Sequence, residues 1–237
     1  MIKDKKCVAI VLSGGKGSRM GSDIPKQYLK VKGFPIIYYS LKAFSDSFVD
    51  EIILVCGKDD VDYCQKEIVE AYDFTKVTKI VPGGKERYHS VANGLFAIDD
   101  CDLVFIHDGA RPFINEAILK SAYEETIRYK ATVVAVPTKD TVKISDDEGF
   151  AHTTPKRDNV WIVQTPQTFD YNLIRKSYEM LINKEDELCS EGVLITDDAM
   201  VVEYFGNTKV KFVEGDYKNI KITTPEDMIV ADIYLTK

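Results

Sequence analysis

The chain has 237 residues, 45% apolar and 29% charged, with 14 Gly and 8 Pro; this is the balance of an ordinary globular protein and excludes collagen-like and low-complexity classes. Its formal charge of −7 works against a broad nucleic-acid-binding surface, which needs a basic excess. The longest stretches without Asp, Glu, Lys or Arg are eleven residues, 88–98 and 159–169, short of the ~18 apolar residues a membrane helix needs. Five short apolar runs rich in Val and Ile, at 7–12, 51–56, 77–81, 102–107 and 132–137, predict strands. They are too continuous to be one-sided, which suits a parallel sheet covered on both faces. Between them, 36–44, 61–72, 90–98 and 115–129 carry helical patterns. Strand and helix in alternation define an α/β fold with right-handed crossovers.

The alternation breaks after Pro137. Residues 140–145 and 150–154 flank Asp146-Asp147-Glu148-Gly149, a turn sequence, and predict a hairpin. The hairpin holds little that fills a core, so it either extends into solvent or packs on a second subunit. The pattern then resumes with a strand at 161–164, helices at 172–181 and 197–204, strands at 209–214 and 219–222, and a closing helix at 225–234 opened by Thr224-Pro225-Glu226. With no linker and no internal repeat, one domain over 1–237 is expected, its arm spanning 139–160. The basic start, followed by an apolar run of only 7–12, is not expected to be a signal peptide. Five dispersed cysteines without a C-x-x-C spacing predict reduced core thiols in a cytoplasmic protein.

Ligands of open α/β sheets bind beyond the carboxyl ends of the strands, and the loops there are rich in glycine and cations. After the first strand comes Ser13-Gly14-Gly15-Lys16-Gly17-Ser18-Arg19-Met20-Gly21. Glycines let backbone N–H groups converge on phosphate oxygens. The loop is not a Walker A, and Met20 occupies the third glycine position of a dinucleotide fingerprint. The ribose-binding acid is also missing from Val55-Cys56-Gly57, which leaves a nicotinamide oxidoreductase a poor reading. Lys16, Arg19 and Lys26 instead suit a triphosphate that loses pyrophosphate, because the leaving charge needs cations.

The second loop is Gly83-Gly84-Lys85-Glu86-Arg87-Tyr88-His89-Ser90, where two glycines admit the edge of a base and Ser90 can add a hydroxyl; an ordinary turn explains it equally well. In the third, His107-Asp108-Gly109-Ala110-Arg111-Pro112, Asp108 is placed to hold Mg²⁺ or a ribose hydroxyl, and Arg111 to pair with a phosphate. An Asp–Arg turn lock is the alternative. The arm brings Thr141 at its root and Lys156-Arg157 at its return, either as solvated charges or as cations reaching another subunit's site. Thr196-Asp197-Asp198-Ala199 reads as an N-cap, with Thr196 as cap or ligand contact. Lys221, in an apolar strand context, is a stronger functional candidate.

Taken in order, SGGKGSRMGSDIPKQY, GGKERYHSVANG, HDGARPF, DTVK, QTPQTF with ITDDAMVVE, and NIKITTPED resemble the 2-C-methyl-D-erythritol 4-phosphate cytidylyltransferase family of the methylerythritol phosphate route to isoprenoids. The resemblance covers nearly the whole chain. It departs at Gly109, where the family usually has Ala, and at Ser13-Gly14, where it has Ala-Ala. The ribitol-5-phosphate or ribulose-5-phosphate cytidylyltransferases share the first loop, but Ala110 and Asp197-Asp198-Ala199 with Val202-Glu203 match the erythritol family. A non-catalytic nucleotide-binding protein with the same fold is a third alternative, disfavoured by Arg19 and Lys26. The resemblance implies a Rossmann-like, GT-A-like nucleotidyltransferase fold, CTP and a polyol phosphate as substrates, Mg²⁺ or another divalent cation, and a homodimer joined by the arm. It implies that Arg19 and Lys26 stabilise charge at the α-phosphate and on pyrophosphate. Ser13, Gly14, Gly15, Gly17, Gly84, Lys85, Ser90, Asp108 and Gly109 would hold CTP. Asp108, Arg111, Thr141, Thr165, Thr196 and Lys221 would surround the polyol phosphate, with Arg157 reaching it from the partner subunit, and Arg157 and Lys221 placing the attacking phosphate. Asp108 or the CTP phosphates would hold the metal.

Overall fold

The computed structural model describes residues 4–15 and 24–236. In chain order the strands are β1 (Cys7–Ser13), the short pair β2 (Lys30–Val31) and β3 (Phe34–Pro35), β4 (Glu51–Cys56), β5 (Val77–Pro82), β6 (Leu103–Asp108), β7 (Ala131–Pro137), the arm strands β8 (Ile144–Ser145) and β9 (Ala151–Thr153), β10 (Trp161–Asp170) and β11 (Lys211–Glu214). The helices are α1 (Ile36–Ser45), α2 (Val61–Tyr63), α3 (Arg87–Phe96), α4 (Glu116–Tyr129), α5 (Tyr171–Asn183), α6 (Glu185–Ser190), α7 (Asp198–Phe205) and α8 (Pro225–Tyr234). Seven strands form one sheet in the order β11-β7-β10-β6-β1-β4-β5. All run parallel except β10, which is antiparallel to both β6 and β7.

The two faces of the sheet follow from strand periodicity. Cys7, Ala9, Val11, Ile52 and Leu54 point to one side and pack with Ile37, Leu41 and Phe44 of α1 and Ile118, Leu119 and Ala122 of α4. Val8, Ile10, Ile53, Val55, Val104 and Ile106 point to the other and meet Val91 and Leu95 of α3, Ile174 and Tyr178 of α5 and Val201 and Val202 of α7. Each central strand is therefore apolar on both sides, as its unbroken run predicts. Cys7, Cys56, Cys64 and Cys101 are buried free thiols, and Cys189 is exposed.

Several elements differ from the sequence reading, which did not foresee β2, β3 or α6 and expected longer arm strands than β8 and β9. The helix expected over 61–72 is α-helical only through Tyr63 and then winds as a π-helix over Cys64–Glu70, with Ala71 N–H reaching back five residues to Lys66. Helix α3 begins at Arg87, three residues before expectation, because Glu86 and His89 form a capping box there. The strand at 161–164 continues as β10 to Asp170 with its register broken between Val163 and Gln167; Pro166, in that break, has no N–H for a ladder. Residues 219–222 are not a strand. Their backbone pairs with a loop, Ile222 N–H donating to the Ala110 carbonyl at 2.9 Å. The arm is a hairpin, β8 antiparallel to β9, with Ile144 and Phe150 exposed.

Candidate active site

Two clefts open side by side along the carboxyl edge of β1, β5 and β6. The first, about 390 Å³, is lined by Ser13, Gly14, Gly15, Lys26, Gly84, Lys85, Arg87, Ser90, Asp108 and Lys221. The second, about 340 Å³, is lined by Arg87, Asp108, Arg111, Gln164, Thr165, Gln167, Thr196, Asp197 and Lys221. Arg87, Asp108 and Lys221 belong to both and mark where the clefts meet.

The rim of the first cleft is built by short-range geometry. Gln27 holds the Ser13 carbonyl through its side-chain amide, which ties the turn Lys26–Tyr28 to the end of β1. Ser90 Oγ accepts from Gly84 N–H at 3.0 Å and so fixes the glycine turn. Gly84 has no room for a Cβ against His89. Among the expected nucleotide contacts, Gly17 and Arg19 lie outside the described residues. Gly109 is not on the cleft wall: its N–H donates to the Leu12 carbonyl at 2.8 Å, so close that a Cβ would come within 2.8 Å of that oxygen.

Asp108 ends β6 with only 8% of its surface exposed. Lys221 Nζ lies 2.8 Å from one carboxylate oxygen and Arg111 Nε 3.8 Å, while Arg87 Nε lies 3.5 Å from the other. Burial alone would raise its pKa, but the charges of Arg87, Lys221 and Arg111 outweigh burial and hold the carboxyl far below the usual range. The Asp–Arg turn lock foreseen for Asp108 and Arg111 is thus real but is one side of a larger cluster. Arg111 also donates to the Asn219 carbonyl at 2.8 Å, which is how residues 219–222 bring Lys221 to the cleft.

Sequence reasoning did not identify Arg87 and Asp198. Arg87 donates through both terminal nitrogens to Asp198, each at 2.8 Å, and Asp198 is fully buried. Tyr178 adds a third donor at 2.6 Å. The cap of α7 is Asp197, whose carboxylate accepts from Met200 N–H, and not Thr196; Thr196 stands on the wall of the second cleft. Thr141 and Arg157 bond each other at 3.1 Å and lie outside both clefts of this chain.

His107 lies under this floor, fully buried. The Arg111 carbonyl, 3.1 Å from Nε2, can only accept, so Nε2 carries the proton. Nδ1 accepts from the Thr165 hydroxyl at 3.0 Å, which in turn accepts from Asp108 N–H at 3.1 Å. Burial pushes the imidazole down to about 4 from 6.5. It is a neutral strut, not a base. The unfolded chain binds the extra proton between those values, so stability should rise with pH across that window, by about 3 kcal/mol from this group. Urea unfolding along a pH series is expected to show that slope in the native chain and a flatter one in His107→Gln, whose amide can reproduce both bonds.

No group of three or more His, Cys, Asp or Glu able to hold a metal occurs among the described residues. Asp108 is already faced by three cations, and the described donor set does not fit a cation site made by protein alone. No helix among the described residues is long and apolar enough to cross a membrane.

A mostly parallel α/β sheet, a glycine-rich rim and a second cleft beside it that carries Arg87, Arg111 and Lys221 have the layout of a nucleotidyltransferase. The family model described as 2-C-methyl-D-erythritol 4-phosphate cytidylyltransferase matches residues 7–237. A protein of that name from Lachnospira eligens is 51% identical over 228 residues, covering 96% of this chain and 98% of its own. One from Lachnoclostridium phytofermentans is 47% identical over 231 residues, covering 98% and 97%. The crystal structure of 4-diphosphocytidyl-2C-methyl-D-erythritol synthase from Anaerococcus prevotii superposes with a TM-score of 0.84 at 40% identity, covering 98% and 97%. The chain belongs to the 2-C-methyl-D-erythritol 4-phosphate cytidylyltransferase family.

Proposed function

We propose that this chain transfers CMP from CTP to 2-C-methyl-D-erythritol 4-phosphate, giving CDP-methylerythritol and pyrophosphate, in isoprenoid precursor synthesis. The observation that carries the reading is the meeting of the two clefts at Arg87, Asp108 and Lys221. CTP occupies the first cleft, with its base toward Gly84 and Ser90 and its phosphates toward Ser13, Gly14, Gly15 and Lys85. The polyol phosphate occupies the second, among Arg111, Thr165 and Thr196.

A phosphate monoester has a second pKa near ~6 and is mostly a dianion at neutral pH. It needs no general base, and the buried neutral His107 offers none. What it needs is placement against a second anion. Lys221, 2.8 Å from Asp108, stands where it can hold the attacking oxygen in line with the α-phosphorus. As the new P–O bond forms, the bond to the β-phosphate breaks and pyrophosphate leaves with its electron pair. Arg19 and Lys26 neutralise that charge. A divalent cation such as Mg²⁺, when bound, would supply further charge neutralisation and would be held through the CTP phosphates, since Asp108 is already faced by three cations. The chain works as one domain in a cytoplasmic homodimer, and Arg157 of the partner subunit completes the acceptor cleft.

The functional test is pyrophosphate release by the purified chain with CTP and Mg²⁺, with methylerythritol 4-phosphate and ribitol 5-phosphate in parallel. Release with the first alone is the expected result. Release with ribitol 5-phosphate alone would move the chain to the pentitol enzymes, and release with neither would make it a nucleotide-binding protein without catalysis. The shared site has its own test. Lys26→Ala and Arg157→Ala are each expected to be nearly inactive, whereas mixing them should recover up to about a quarter of native activity, since half the dimers are hybrids with one intact site. Verified hybrids without recovery would remove the partner role of Arg157.

A further inference from the structure

We infer that Arg87 is a positioning residue: clamped on Asp198, it holds the Asp108 carboxylate, and through it Lys221 and Arg111, in the arrangement that receives the acceptor phosphate. The inference rests on the cytidyl-transfer reading and extends it to a residue that touches neither reacting atom.

Arg87 is the first residue of α3, where the Glu86–His89 capping box starts the helix. Its backbone therefore belongs to the nucleotide rim, while its side chain lies on the floor shared by both clefts. The two terminal nitrogens are spent on Asp198. That carboxylate is itself fixed, being fully buried, bonded by Tyr178 and placed at the first residue of α7. The guanidinium plane is thus set by a rigid partner, and the remaining nitrogen, Nε, faces Asp108 Oδ1 at 3.5 Å.

The oxygens of Asp108 are divided by this arrangement. Oδ1 faces Arg87, and Oδ2 faces Lys221 at 2.8 Å and Arg111 at 3.8 Å. Three cations meet two carboxylates in this cluster, Asp108 and Asp198, and the carboxylate of Asp197 stands on the wall of the second cleft beside them. Arg111 Nε is buried without a hydrogen-bond partner and is held by the Asp108 charge alone, at 3.8 Å. Without Arg87, Asp108 loses the charge that shares it, rotates toward Lys221 and Arg111, and competes with the phosphate for both. A lysine at this position could not replace it, because one ammonium lacks the three-sided reach of the guanidinium.

A purely structural ion pair tolerates neutral replacement of both members, and this separates the two roles. The variant Arg87→Met/Asp198→Asn leaves no buried charge unpaired and keeps an acceptor for Tyr178. Thermal unfolding, CTP affinity by calorimetry, and kcat and KM for methylerythritol 4-phosphate are to be measured for the native chain, this double variant and Arg87→Lys, and again with Asp108→Asn added. The double variant is expected to melt near the native temperature and to bind CTP within about threefold. Its KM for the polyol phosphate should rise at least about tenfold and kcat/KM fall about 10²-fold, the cost of a misplaced reactant. Arg87→Lys should follow it, and serves alone if the double variant does not fold. In the Asp108→Asn background the same changes should cost less than about threefold, because the group that Arg87 holds is already gone.

Native kinetics in the double variant would make the pair structural and overturn the inference. So would an undiminished loss in the Asp108→Asn background, or weakened CTP binding with an unchanged KM for the acceptor. A native chain inactive with methylerythritol 4-phosphate would refute the functional reading and the inference together, whereas an active native chain with unaltered variants would refute the inference alone.

Discussion

Lys26→Ala is expected to lower kcat for pyrophosphate release by about 10²–10³-fold, the loss of about 3–4 kcal/mol of transition-state stabilisation from one aimed cation. Lys26 faces the first cleft from a turn that is anchored independently of its own side chain. Gln27 next to it is buried and holds the Ser13 carbonyl. Tyr28 is also buried, its hydroxyl 3.1 Å from Cys64 Sγ. The turn should therefore survive the substitution, with the melting temperature and the far-ultraviolet spectrum unchanged while turnover collapses. Steady-state kinetics on the folded variant decide the matter, and a near-normal kcat would strip Lys26 of its role.

The largest stability effect is expected at Asp198. Its carboxylate accepts two bonds from Arg87 and one from Tyr178 without exposure to solvent. Asp198→Ala removes the acceptor for all three and leaves a guanidinium without its counter-charge, which costs about 3–5 kcal/mol. For a chain of this size that corresponds to a fall in Tm of about 6–20 °C. Asp198→Asn keeps an acceptor for Tyr178 and should lose less. Urea titration of both variants checks the ordering; an alanine variant as stable as the native chain would show that the pair contributes no net stability.

Much of the sheet was legible because its central strands are buried on both faces, so that Ile52 to Cys56 reads as one apolar run, and the strand expected at 51–56 is β4 to the residue. The direction of β10 was not legible. Gln164 to Phe169 carries mixed polar residues because its side chains serve the second cleft, and strand direction leaves no mark on composition. Residues 219–222 mislead in the opposite way: Ile220 and Ile222 give the pattern of a strand, but the backbone there closes on Ala110 and Arg111 instead of a neighbouring strand. At the site, glycines and lysines in loops after strands announced the first cleft. Arg87 did not announce itself, because Lys85-Glu86-Arg87 looks like a solvated turn and its partner Asp198 is 111 residues away. Asp108 was recognised as a binding carboxylate, but the sequence carries no sign that three cations converge on it.

The way the chain leaves and re-enters the sheet at the arm makes the arm a detachable module. Pro137 of β7 is registered against Trp161 of β10, and Thr138 N–H donates to the Val160 carbonyl at 3.0 Å. The whole excursion over 139–159 therefore departs and returns across a single rung between two neighbouring antiparallel strands. A two-residue Asn-Gly turn can span such a rung, and a shorter loop costs less entropy to close. The excised chain should melt as one cooperative unit and, on the proposed pairing through the arm, sediment as a monomer. On that proposed pairing, association and folding of the subunit are then separate inheritances of the sequence: the arm can lengthen or shorten without asking anything of the sheet.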